Sequence, residues 1–181
     1  MLNSSKVEGV VLARKNFSEA DKIITLFTRE QGKVKVLAKG VRRIKSRRAP
    51  HLELFNHVSL VLHKGKAFDL VTEAKTLSKI EVDLKTAAYL FYLCEVLDKI
   101  LPEHQPHPEL FAKLILCILS LRGMEMTKQS YNENIVKQFV VELLWNLGYL
   151  PKGQYPKLGV TDFVESIVER KIRSKKFLEE L

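Results

Sequence analysis

Between residues 76 and 83 the spacing of apolar side chains changes period, and a single type of regular structure cannot run through that point. Before it, apolar residues come in short runs with two-residue alternation, divided by turn residues; after it, they recur at three- and four-residue intervals. The first part reads Val7 to Ala13, Lys22 to Thr28, Lys33 to Lys39, Leu52 to His63 and Phe68 to Ala74 as strands. Gly9 marks a place in the first run for a bend or bulge. Residues 14 to 21 are polar apart from Phe17 and Ala20 and read as a connection. Glu30-Gln31-Gly32 turns the second run back into the third, and Lys64-Gly65-Lys66 turns the fourth into the fifth.

Five short strands with no helical pattern long enough for a crossover predict a small antiparallel barrel. Among such barrels the five-stranded OB-fold is the one that commonly holds single-stranded nucleic acid, although periodicity alone does not name the type. Beyond residue 83, Leu84, Ala87, Ala88, Phe91, Cys94, Val96, Leu97 and Leu101 trace a helix that Pro102 ends. A second helix runs from Pro108 to Gly123, and a third from about Asn132 through Val136, Phe139, Val140, Leu143, Leu144 and Leu147 to Gly148. A fourth spans Asp162 to Glu180. The expected fold class is therefore α+β, with a barrel domain at 1–78 and a helical bundle at 79–181.

Charge divides the chain in the same way. Residues 1–80 carry 17 basic and 7 acidic side chains, whereas residues 81–181 carry 13 and 14. The first part suits a polyanion; the second has no such bias. The excess concentrates in KVKVLAKGVRRIKSRRAP, residues 33–50, where Lys33, Lys35, Lys39, Arg42, Arg43, Lys45, Arg47 and Arg48 stand without an acidic residue among them. Alternation of Lys33 and Lys35 with Val34 and Val36 predicts a strand with cations on one face, and the rest reads as a mobile basic loop that contacts phosphates. Of the aromatics nearby, Phe27 and Phe55 are expected in the core. Phe17 and Phe68 remain, and Phe17, in a polar loop, is the better candidate for stacking on a base. A second basic run, Arg170, Lys171, Arg173, Lys175 and Lys176, reads either as a further DNA contact or as cations placed at the negative end of a helix.

Other chemistries find little support. Two cysteines, Cys94 and Cys117, cannot supply a disulfide framework or a four-cysteine zinc site, and both fall in apolar helical patterns. His104 and His107 have a metal-like spacing, but Pro106 and Pro108 place them in a loop. No phosphate-binding loop, dinucleotide fingerprint or serine elbow is present, so neither an enzyme nor a cofactor is expected. The opening MLNSSKVEGVVLA lacks a basic leader before an apolar core, and the longest apolar run, Leu110 to Leu121, is broken by Lys113 and too short to span a bilayer. These features predict a cytoplasmic protein with no membrane contact.

The order of residues in SEADKIITLFTREQGKVKVLAKGVRRIKSRRAPHLELF, Ser18 to Phe55, resembles the amino-terminal domain of the bacterial RecO recombination mediators. The shared pattern is an acidic turn with Asp21, a strand ending in LFT, a glycine turn, and an A-K-G-x-R-R-x-K-S loop. TEAK at Thr72 to Lys75, ELLWNLGYLP at Glu142 to Pro151 and RSKKFLEEL at Arg173 to Leu181 are similar to later parts of that family. Three departures stand out. PKGQYPKLGVTDF occupies the place where many members carry four zinc-binding cysteines, the second part is short, and Ser18 and Leu54 replace a family glycine and proline.

The resemblance implies a zinc-free, nucleoid-associated mediator of recombinational repair that binds single- and double-stranded DNA and anneals complementary strands. It implies RecR, the acidic tail of single-strand-binding protein and, indirectly, RecA as partners. Trp145, off the buried stripe of its helix, reads either as core edge or, with Lys137 and Lys152, as a pocket for that tail. The rival reading is an OB-fold RNA-binding or translation-associated factor.

Overall fold

A computed structural model of the chain describes residues 3–79, 83–121 and 129–179. The chain divides into two compact units: residues 1–80 with 101–108, and residues 81–100 with 109–181.

The first unit is a five-stranded barrel with β1 (Ser4–Asn16), β2 (Lys22–Thr28), β3 (Gly32–Ala38), β4 (His57–His63) and β5 (Asp69–Ser78) closed in the order β1-β2-β3-β5-β4. This is the OB-fold order. β1 is long because it serves two neighbours: Ser4 to Val10 pair with β4 and Gly9 to Asn16 with β2. At the crossover, a Cβ on Gly9 would lie 3.0 Å from Thr28 Cγ2 and 3.1 Å from the Phe27 carbonyl, so close approach selects glycine there. The bulge itself comes further along the strand, between Val11 and Ala13.

Inward-facing Val7, Val11, Ile24, Leu26, Val34, Val36, Val58, Leu60, Leu62 and Val71 fill the barrel. Burying each such side chain contributes roughly 1.5–3 kcal/mol, so the alternation in the strands is also what holds them together.

Several boundaries differ from the sequence expectation. Arg14 to Asn16 are strand, not connection, because they pair with Ile24, Ile23 and Lys22. The fourth strand starts at His57; before it, a single 3₁₀ turn at Ala49–Leu52 carries Leu52 into the barrel core. β5 continues to Ser78 along β4. Closure is not wholly antiparallel either, since β3 meets β5 in parallel through Val36↔Asp69 and Leu37↔Leu70. Phe27 is fully buried as expected, but Phe55 is only half-buried, on a backbone with φ of 69°.

The second unit contains α1 (Leu84–Ile100), α2 (Pro108–Leu121), α3 (Gln129–Asn146), α4 (Val160–Val168) and α5 (Lys175–Glu179). The Asp83 carboxylate accepts the Thr86 amide at 2.7 Å and caps α1, which holds that carboxyl below its ordinary range. α1 packs on α3, α4 and α5. Leu90, Leu93, Leu97, Val140, Leu143 and Leu144 are fully buried. Cys94 and Cys117 are buried thiols, and desolvation pushes Cys117 up to about 12. Gly123, expected to end the second helix, and Glu180, expected to end the fourth, lie outside the described residues.

The expected long fourth helix is broken. Glu169 takes a left-handed conformation, φ 51°, and residues 170–174 are not helical before α5 begins. Glu95 on α1 explains the break: its carboxylate accepts the Arg173 amide at 3.0 Å and both the amide and the hydroxyl of Ser174 at 2.8 and 2.6 Å. Burial alone would raise the Glu95 carboxyl, but these bonds and the Lys99 ammonium at 2.7 Å hold it down at about 2.

Candidate nucleic-acid interface

β3 delivers the alternation its sequence predicts, with Val34 and Val36 in the barrel core and Lys33 and Lys35 on the other face. That face is not open along its whole length. The segment Leu101–Pro108 lies against the start of the strand, where the His104 amide donates to the Lys33 carbonyl at 2.9 Å and Glu103 pairs with Lys35. Lys33 is only 7% exposed. A Cβ on Gly32, whose φ is +70°, would come within 2.0 Å of the Gln105 carbonyl oxygen. The strand can start this way only because its first residue is glycine.

Past Ala38 the chain leaves the sheet as the basic loop, which is tied down at four points rather than mobile. The Gly40 amide donates to Asp21 Oδ1 at 2.7 Å, and the Arg42 amide to the Ala20 carbonyl at 2.9 Å. The Arg42 guanidinium donates to the Ser18 carbonyl at 2.9 Å. The Arg48 guanidinium reaches back to the Lys39 carbonyl at 2.7 Å and across to the Val71 carbonyl on β5.

Two of the predicted cations therefore brace the loop. Lys39, Arg43, Lys45 and Arg47 are exposed, and with Asp21, Gly40, Ser46, Arg48 and Thr72 they surround a depression of about 830 Å³. A concave surface ringed by guanidinium and ammonium groups focuses positive potential and attracts a polyanion. Ile44, at the tip of the loop, is fully exposed.

Phe17 sits in the turn between β1 and β2 that the basic loop is bonded to, and is 54% exposed. Its ring meets Phe68, just before β5, edge-on at 6.2 Å and 75°. Asp21 lines the same depression as the cations, and the turn that carries Phe17 is hydrogen-bonded to the loop. Asp21 was visible only as an acidic turn residue; no periodicity marks the bond it makes to Gly40.

Residues 1–80 match the sequence model described as Recombination protein O N terminal, and residues 81–155 the one described as Recombination protein O C terminal. The chain belongs to the RecO family. Among curated relatives, DNA repair protein RecO of Symbiobacterium thermophilum is 36% identical over 148 residues, which is 80% of this chain and 57% of that protein. The proteins of the same name from Syntrophomonas wolfei and Dehalococcoides mccartyi are 32% and 33% identical, over 78% and 81% of this chain and 56% and 57% of theirs. The chain thus spans a little over half the length of these RecO relatives.

The remaining predicted residues lie in the helical unit. Arg170, Lys171 and Arg173 fall in the segment after α4, not within a helix, and Lys175 and Lys176 open α5. Arg170 and Lys171 directly follow the negative end of α4, where the helix-end explanation holds, but Lys175 and Lys176 stand at the positive end of α5, where it does not. Lys171 stands 3.5 Å from Glu165, and Lys175 pairs with Asp162 at 2.9 Å.

Trp145 is half-buried, donates its indole N–H to the Gln154 carbonyl at 2.7 Å and meets Tyr155 edge-on at 5.8 Å. Lys137 pairs with Glu133 one turn away, and Lys152 is exposed. These contacts favour the core-edge reading of Trp145. An apolar depression of the helical unit, about 400 Å³, lies between α2 and α3, where Leu116, Cys117, Tyr131, Ile135 and Phe139 line it. His104 and His107 lie in the loop between α1 and α2, and no described helix is long and apolar enough to cross a membrane.

Proposed function

We propose that this RecO-family chain is a DNA-binding mediator of recombinational repair, and that the barrel's basic loop is its DNA-binding element. Lys39, Arg43, Lys45 and Arg47 take phosphates, while Arg42 and Arg48 hold the loop in shape and lend their charge. The observation that carries the reading is the depression ringed by these side chains on a five-stranded OB barrel. Cation contacts of this kind neutralise two backbones while leaving base edges free, which is what annealing of complementary strands requires. On the family resemblance, the chain acts with RecR on DNA covered by single-strand-binding protein so that RecA loads, without itself catalysing a covalent step. Lys35 extends the cationic track along β3 where a phosphate displaces Glu103, buried Lys33 does not, and Arg170, Lys171, Arg173, Lys175 and Lys176 supply a second backbone contact.

The reading is tested by binding and annealing at graded salt. Four phosphate contacts give a slope of log K against log salt of roughly −3 on single strands. Neutralising Arg43, Lys45 and Arg47 together to Gln is expected to flatten that slope to roughly −1 and to abolish annealing. An affinity indifferent to salt in the unmodified protein would refute the proposal.

A further inference from the structure

We propose that Phe17, propped by Phe68, is a ledge that takes one unpaired base, so that this surface prefers single-stranded to paired DNA. The inference rests on the DNA-binding reading and adds what that reading leaves open, the form of DNA.

Three observations carry it. An aromatic ring that is 54% exposed on a small barrel meets one aromatic neighbour among the described residues, edge to face at 6.2 Å, a contact that leaves much of its surface for another partner. The backbone that carries the ring is held in place, because the Phe17 amide donates to the Asp21 carbonyl at 3.2 Å and closes the turn. The turn is also bonded to the basic loop, through Asp21 to Gly40, Ala20 to the Arg42 amide and Ser18 to the Arg42 guanidinium. Ledge and cations therefore form one surface, and a strand whose phosphates run along the loop brings its bases within the same patch.

The chemistry then discriminates. A single strand offers an unstacked base that can settle on Phe17 at little cost, and an aromatic platform accepts any base because every base has a π-face. A duplex presents its bases already stacked, and using the ledge requires unstacking a step first. The cations serve both forms; the ledge serves one. Ile44 is the apolar side chain placed to act on a duplex instead, as a wedge from the loop tip.

The experiment measures the affinity of the full chain for a short single strand carrying a fluorescent purine analogue and for the matching duplex, with variants Phe17→Ala, Phe17→Trp, Phe68→Leu and Ile44→Ala. Phe17→Ala should lower single-strand affinity by roughly 5- to 100-fold and abolish quenching of the analogue, with duplex affinity changed less than about twofold. Phe17→Trp should keep both signals. Phe68→Leu, which keeps apolar contact but not the ring edge, should fall between. Equal losses on the two forms, no loss in Phe17→Ala, or duplex losses in Ile44→Ala with Phe17→Ala silent would overturn the ledge. If the unmodified chain binds neither form in a salt-dependent way, the DNA-binding reading falls and takes the ledge with it. Because Phe17 is exposed, an unchanged thermal midpoint in Phe17→Ala separates lost contact from lost fold.

Discussion

Glu103 pairs its carboxylate with the Lys35 ammonium on the outer face of β3, and so places an anion on the one strand whose sequence alternates cations with core residues. The hydrogen bond from Lys35, together with the nearby charges of Lys35, Lys33 and His104, holds the Glu103 carboxyl below its ordinary range. A phosphate that takes Lys35 must displace this carboxylate.

Replacing Glu103 with Gln is therefore expected to tighten DNA binding severalfold at low salt and to steepen the salt slope by roughly 0.7 on single strands, one extra phosphate contact. In the unmodified protein the pair is intact above the ordinary carboxylate range. As pH falls through the lowered value, Glu103 protonates and Lys35 is released, so DNA affinity should rise on acidification, and the rise should be absent in Glu103→Gln. Titration of binding against pH for both proteins checks this.

Contacts and braces within the basic loop should separate on thermal melting. Arg43, Lys45 and Arg47 are exposed at the depression, and their replacement by Gln should change DNA affinity while moving the midpoint by less than a degree or so. Arg42 and Arg48 donate to the Ser18, Lys39 and Val71 carbonyls, and Asp21 accepts the Gly40 amide. Arg48→Gln or Asp21→Ala should cost about 1–3 kcal/mol of stability. Equal melting of all variants would show that the loop is not braced.

Glu95 should set the acid limit of the helical unit. Its carboxyl titrates at about 2, against 4.5 ordinarily. Its contribution is complete above the ordinary value and is lost as pH falls from there through the lowered one. Glu95→Gln should melt earlier than the unmodified protein at neutral pH, and the difference should shrink steadily as the medium is acidified toward pH 2. Hydrogen exchange at the Arg173 and Ser174 amides should rise in the same variant.

What could be read from the residues was whatever a period of two or three and a half encodes. Ile24, Leu26, Val34, Val36, Val58, Leu60 and Leu62 fell into a barrel core, and Val136, Phe139, Val140, Leu143 and Leu144 into a helix core, because burial repeats at the geometry of the backbone. Non-periodic contacts were not legible. Arg48 looked like one more cation, yet its fork bridges two carbonyls; Glu103 looked like part of a proline-bounded loop, yet it faces a strand far away in the chain. The break at Glu169 escaped for the same reason, since the carboxylate behind it sits on α1. In each case polar bonds to residues distant in the chain overrode a locally plausible pattern.

The parallel meeting of β3 and β5 spans two residue pairs, against seven for β1 with β4. Such a short join is the weakest seam of the barrel, and it should exchange its amide hydrogens first. Arg48 fastens the seam from outside, one end of its fork on the residue after β3 and the other on β5. DNA that pulled Arg48 away would unfasten the barrel it rests on. If the loop takes phosphate, the cations it can lend are those that fasten nothing, so the cost of opening the seam, as much as the count of charges, would decide which of them meet it.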